Sequence, residues 1–200
     1  ISALLVEKNT SGLSFGNNEE KMGWKSQPTA QVIFDDCHVS SKKLLGEENK
    51  GFIYAMQGLD GGRLNIAAAA LGGAQTALNI AKRYIKERKA FGKSLSEFQG
   101  LQFKVADMEI AINSSRTFLR EAAWKLDNAK SDAGVYCAMA KKFVTDNSFN
   151  IANNSLQLLG GYGYLADYGI EKIVRDLRVH QILEGTNEIM QLIVARDSLK

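Results

Sequence analysis

Among the residues able to do chemistry, the run His180-Gln181-Ile182-Leu183-Glu184-Gly185-Thr186-Asn187-Glu188-Ile189-Met190 has the most suggestive spacing. Glu184 stands between apolar residues and a Gly-Thr-Asn turn, just ahead of a new helical run. A carboxylate held in a partly dry pocket is a better base near neutral pH and can take a weakly acidic C–H proton. A plain helix start accounts for the same residues without chemistry, with Thr186 or Asn187 as the cap and Glu188 in the first turn.

Three further clusters each admit two readings. Arg88-Lys89-Ala90-Phe91-Gly92-Lys93-Ser94-Leu95-Ser96-Glu97-Phe98-Gln99 joins an arginine, aromatics and a glutamine, a set able to grip a phosphate and stack beside a planar ring. A solvated loop between helices is the other reading. Gln157-Leu158-Leu159-Gly160-Gly161-Tyr162-Gly163-Tyr164 lets backbone amides approach a ligand closely, or simply ends a helix. With no strand before it and the wrong spacing, it is not a dinucleotide fingerprint. Asp60-Gly61-Gly62-Arg63 places two glycines in a helical run, at about 1 kcal/mol each relative to Ala. Either room is needed there, as for a substrate chain beside Arg63, or the helix starts loosely. His38 and His180 have no triad partner in local sequence and receive no catalytic role. Tyr162, Tyr164 and Tyr168 read as packing residues.

The elements that position these clusters fall into two textures. Residues 1–48 read as β, with strands at Ser2–Val6 and Gln31–Phe34 separated by turn-rich sequence, and Pro28 is the only proline. So few strands make a poor sheet by themselves, which reads as the remnant of a larger β domain. Residues 49–200 read as a helical-bundle domain. A first helix is expected from about Gly51 to Arg88, a second after Ser94–Glu97, and a third from about Ser131 to Leu159, stopped by Gly160-Gly161. A shorter helix covers Ile170–Val179 and a last one begins near Thr186. Ala67–Ala70 and Gly72-Gly73 would permit close approach of a neighbouring helix. The fold class expected is mainly α, an up-down bundle preceded by a partial antiparallel β domain.

With 45% hydrophobic and 24% charged residues, the composition is that of an ordinary globular protein. The net charge of +3 is spread along the chain, and pairs such as Lys42-Lys43 and Lys141-Lys142 read as solvated faces, not as a nucleic-acid stripe. Cys37 and Cys137 lie far apart without ligand spacing, which argues against zinc and a disulfide scaffold. The absence of any long apolar run argues against a membrane span. The chain opens inside an apolar run without an initiator Met, which reads as a cut N-terminus.

Taken in order, Leu71-Gly72-Gly73-Ala74-Gln75-Thr76-Ala77-Leu78, Arg88-Lys89-Ala90-Phe91-Gly92, Gln157–Gly163 and Leu183-Glu184-Gly185-Thr186 resemble the C-terminal portion of the acyl-CoA dehydrogenases, over essentially all 200 residues. Gly23–Thr29, Asp60–Ala67 and Val174–Gly185 look closest to the branch acting on isobutyryl-CoA. The resemblance implies an FAD-dependent flavoenzyme that oxidises a short, branched acyl-CoA to the 2,3-enoyl-CoA in fatty acid and branched-chain amino acid catabolism. Glu184 would remove the α-proton, FAD would accept the β-hydride, and the Glu184 N–H would help polarise the thioester carbonyl. Some relatives carry the base just before the equivalent of Arg63, where this chain has Gly62.

The same resemblance implies that Arg88, Phe98 and Gln99, with Gln157, Leu158, Leu159, Gly160 and Gly161, contact the FAD of a neighbouring subunit. Thr186, Asn187 and Glu188 would contact the subunit's own FAD near its pyrophosphate and adenine half. Asp60, Gly61, Gly62, Arg63, Gly185 and Arg196 would face the acyl-CoA. No metal is implied. The partners implied are acyl-CoA, an electron-transfer flavoprotein and a homotetramer built as a dimer of dimers, in a bacterial cytoplasm or a mitochondrial matrix. The family's first half is absent from this chain, so the chain is expected to be inactive alone and to bind FAD weakly. An acyl-CoA oxidase-like flavoenzyme and a non-catalytic helical oligomerisation module are the alternatives.

Overall fold

The computed structural model describes residues 1–200. Two compact units divide the chain at Leu59 and Asp60. In the first, strand β1 (Ala3–Leu4) pairs antiparallel with β4 (Leu44–Leu45), and β2 (Leu13–Phe15) with β3 (Val32–Phe34). β2 and β4 were not expected from the sequence, because runs of two or three residues are too short to show an alternating pattern. Leu4, Leu5, Phe15, Val32, Ile33 and Phe34 remain exposed, as on a sheet with few partner strands. The first turns of helix α1 close this unit, with the Gly51 N–H donating to the Ile1 carbonyl at 3.1 Å.

Helix α1 (Gly51–Glu87) continues into the second unit, where α2 (Gln99–Asp127) and α3 (Ala133–Leu159) complete three long helices. Leu64, Ala67, Leu71, Ala74, Leu78, Ala81 and Ile85 are buried at alternating steps of three and four, one apolar stripe along α1. The alanines among them, with Gly73 beside them, let neighbours come close: a Cβ at Gly73 would stand 3.0 Å from Leu177 Cδ2 of α4 (Ile170–Arg178). Lys82 pairs with Glu109 at 2.6 Å, and Gln75 accepts from Arg116 at 2.8 Å. Each step up α1 is thus matched by a step down α2, so the two run antiparallel. The α2–α3 pairs Ser115–Asn147 and Met108–Ser155 repeat that register, and α3 also packs against α4 and α5 (Asn187–Ser198). This is the up-down bundle expected, with helix ends within two residues of the sequence reading.

The stretch joining α1 to α2 is ordered as a hairpin, β5 (Lys89–Ala90) with β6 (Lys93–Ser94), and not a plain loop. Phe91 and Gly92 both have positive φ, 52° and 81°, the two-residue turn that matches the twist of paired strands. The Ser94 hydroxyl donates to the Ile85 and Lys86 carbonyls, closing the end of α1. Its backbone N–H donates to Glu97 at 2.7 Å in a capping box. No helix is long and apolar enough to cross a membrane.

Candidate active site

Glu184 occupies the turn between α4 and α5 with φ at 58°, a left-handed conformation that costs a non-glycine residue about 1–2 kcal/mol. Gly185 follows at φ 89°, and a Cβ there would also stand 2.9 Å from Met190 Cε. Two successive positive-φ residues reverse the chain sharply and leave the glutamate at the crest. Its side chain lies against α1 at Gly62, where an added Cβ would overlap Oε2 and stand 2.9 Å from Cδ. The space vacated at Gly62 is therefore filled by this carboxyl, while nothing lies within 4 Å of a Cβ at Gly61. Positions 184 and 62, more than a hundred residues apart in the chain, thus converge on one point in space. Glu184 is half-buried and its carboxylate enters no hydrogen bond or ion pair within the chain. Its N–H donates to no backbone carbonyl.

One turn of α3 holds the glutamate turn from both sides. Lys141 Nζ donates to the Gly185 carbonyl at 2.7 Å and to Asn187 Oδ1 at 2.8 Å. Asn187 Nδ2 donates in turn to Asp146 Oδ1 at 2.6 Å and to Thr145 Oγ1 at 3.1 Å. On the other flank, Gln181 Nε2 reaches the same Asp146 oxygen at 2.7 Å. Burial opposes ionisation of Asp146, but hydrogen bonds from Lys142, Gln181 and Asn187 outweigh it and hold the carboxyl below the usual range. Lys141 is fully buried, and that burial pushes its ammonium down to about 8 despite the attraction of Asp146. The solvated face expected at Lys141-Lys142 is corrected here. Lys141 continues the buried stripe Cys137, Val144, Ser148, Ile151, Ser155 and Leu158, again at steps of three and four. That spacing was the signal that could have found it.

Arg63 is 8% exposed and pairs with Asp60 at 2.7 Å inside the bundle. Burial, with Asp60 adding to it, pushes the Cys137 thiol up to about 11 and leaves it unreactive. His180 is buried beneath the turn, and burial carries its imidazole down to about 4, so it is neutral at physiological pH. Thr186 caps α5, accepting from the Ile189 N–H at 3.4 Å. Beside that helix start lies a polar cleft of about 330 Å³ lined by Lys142, Arg178, Thr186, Asn187, Glu188 and Gln191 among others. Glu188 is held below the usual range by its own backbone N–H and by Thr186. Arg196 lies exposed near the end of α5.

The second set of expected residues sits at the opposite end of the bundle. The Arg88 guanidinium lies 5.8 Å over the Tyr162 ring, which packs with Tyr84 and Tyr168. Gln157, Gly160 and Gly161 are exposed nearby, and added Cβ atoms at both glycines would meet nothing within 4 Å. Leu158 and Leu159 are buried in the core, so only their backbone could face a ligand. Phe98 packs edge-on to Phe91 at the hairpin, with Gln99 opening α2. Tyr164, expected to pack, is 84% exposed, because it falls beyond the ring cluster in the turn after α3. From Gly62 to Glu87, α1 runs about 38 Å. The two sets therefore cannot meet on one small ligand within a single chain. No cluster of side chains suits a metal ion.

Residues 49–199 match the family profile described as acyl-CoA dehydrogenase, C-terminal domain. Mitochondrial isobutyryl-CoA dehydrogenases of Dictyostelium discoideum and Bos taurus are 52% and 50% identical over the whole chain, which spans 48% of each. The butyryl-CoA dehydrogenase structure from Megasphaera elsdenii superimposes with a TM-score of 0.96 at 39% identity, over all of this chain and 52% of that one. The chain thus spans about half the length of the relatives it matches.

Proposed function

Because this chain belongs to the acyl-CoA dehydrogenase family, we propose that it is the catalytic half of an enzyme that dehydrogenates a short, branched acyl-CoA, isobutyryl-CoA foremost, to its 2,3-enoyl-CoA. The observation that carries this reading is the Glu184 carboxylate, unengaged, half-buried and turned onto the α1 backbone at Gly62. Such a carboxylate takes the α-proton of a thioester seated against it. The free N–H of the same residue is available to the thioester oxygen, where charge develops as that proton leaves. The strained turn fixes both groups in one small element.

The residues fit FAD. The cleft at the start of α5 offers helix amides, Lys142 and Arg178 to a pyrophosphate, and the Glu188 carboxylate can accept from ribose hydroxyls. At the far end, exposed Arg88 and Gln157 and the open backbone at Gly160-Gly161 suit a second flavin. When bound, FAD supplies the acceptor for the β-hydride. The separation along α1 supports contribution of these two ends to different flavins, hence a homo-oligomer whose sites are shared between subunits, the dimer-of-dimers tetramer. Residues 1–48 read as part of a β domain completed by chain that this sequence does not include. An electron-transfer flavoprotein is the proposed electron acceptor, in a mitochondrial matrix or bacterial cytoplasm. Identities of 52% and 50% to isobutyryl-CoA dehydrogenases, against 39% to the butyryl-CoA enzyme, support the branched substrate.

Anaerobic titration of the full-length protein tests this reading through its flavin absorbance. Bleaching by isobutyryl-CoA at near-stoichiometric amounts is expected. Bleaching by butyryl-CoA alone would discard the branched substrate, and a flavin that stays yellow with both would overturn the reading.

A further inference from the structure

We propose that Lys141 is a positioning residue for the base, its buried side chain anchoring the Glu184–Gly185 turn to α3 and joining it to the start of α5. The proposal rests on the reading of Glu184 as the base.

A turn with two successive positive-φ residues, one of them a glutamate, is not a conformation the local sequence prefers. Something must over-determine it. The Leu183 and Ile182 amides both return to the Val179 carbonyl, which fixes the chain only up to Leu183. Beyond the glutamate, the Gly185 carbonyl is held by Lys141 Nζ, at 2.7 Å. The same nitrogen holds Asn187, the first residue of α5, whose amide group passes the contact on to Asp146. Asp146 also holds Gln181, so the segment 181–187 is tied at both flanks to one turn of α3. Of the two anchors, only Lys141 grips the backbone next to the glutamate.

Surrounding charge explains why a lysine serves here. Asp146 on its own helix, Glu188 on α5 and Glu184 on the turn favour the ammonium, and Arg63 on α1 opposes it. A buried amine needs hydrogen-bond acceptors, and it has two, a main-chain carbonyl and an amide oxygen. One side chain thus holds both the turn that carries Glu184 and the first residue of α5.

Lys141→Met, which keeps an unbranched apolar stem one atom shorter and donates nothing, is the test in the full-length protein. Two quantities are read: hydrogen exchange of segment 181–189, and the limiting rate of anaerobic flavin reduction at saturating isobutyryl-CoA. We expect exchange to accelerate about tenfold in that segment alone, and flavin reduction to slow by about tenfold or more. The half-saturating acyl-CoA concentration is expected to stay near wild type, and the reduction rate is read on the flavin-loaded fraction, since Asn187 at the start of α5 loses the same contact. Lys141→Gln, of the same length as Met but still a donor, is expected to fall between wild type and the Met variant, and it carries the test if the Met variant does not fold. Unchanged exchange would overturn the anchor, and faster exchange with an unchanged reduction rate would overturn its role in the reaction. A wild-type flavin that isobutyryl-CoA does not bleach would sink the base reading instead, while exchange would still decide the anchor.

Discussion

At the scale of single residues, the site turns on a glycine whose space is taken by a glutamate. A methyl group at Gly62 would strike Glu184 Oε2, the far end of a flexible side chain, so the carboxyl swings away and the helix stays. Gly62→Ala is therefore expected to hold or raise the melting temperature, since Ala gains about 1 kcal/mol over Gly in a helix. The rate of flavin reduction should fall by about tenfold or more, because a small misplacement of a base is costly. Gly72→Ala, a helix position with nothing within 4 Å, is the control and should gain stability with an unchanged rate. A wild-type rate in Gly62→Ala would show that the carboxyl works from another place.

At the scale of elements, the connection from α4 to α5 carries a pH-dependent weakness. Burial lowers His180 to about 4, so between pH 6.5 and 4 the unfolded chain binds a proton that the folded one refuses. Stability is full above pH 6.5 and is lost as pH falls toward 4. By pH 5 this amounts to about 2 kcal/mol. Urea unfolding at pH 7 and pH 5 should show that loss in the wild type and much less of it in His180→Gln; equal losses in both would assign it elsewhere.

The helices were legible in the sequence because buried positions on α1 and α3 recur at steps of three and four over many turns. The β5–β6 hairpin was not, since its two strands are two residues each and its turn places a phenylalanine, not the customary Asn or Asp, at positive φ. Glu184 could be singled out from neighbours in the chain. Its contact with Gly62 spans more than a hundred positions, and no local pattern encodes it. At Lys141 the Lys-Lys pair suggests water, whereas the register of α3 puts the first lysine in the core and the second at the surface beside Asp146.

At the scale of the whole molecule, Glu184 and the Arg88–Gln157 cluster lie at opposite ends of one bundle, some 38 Å apart along α1. In the proposed assembly, a working site joins the first end of one subunit to the second end of another. Full-length Glu184→Gln and Arg88→Ala proteins, each made alone and then co-assembled, test it through flavin bleaching by isobutyryl-CoA under anaerobic conditions. Glu184→Gln alone should bleach at no more than about a hundredth of the wild-type rate, the scale of losing a general base, and Arg88→Ala alone should hold less flavin and bleach correspondingly less. The mixed oligomer should recover a fast phase, because some of its sites pair an intact Glu184 with an intact Arg88. Rapid bleaching by Glu184→Gln alone, or a mixed oligomer as inert as its parents, would contradict the account.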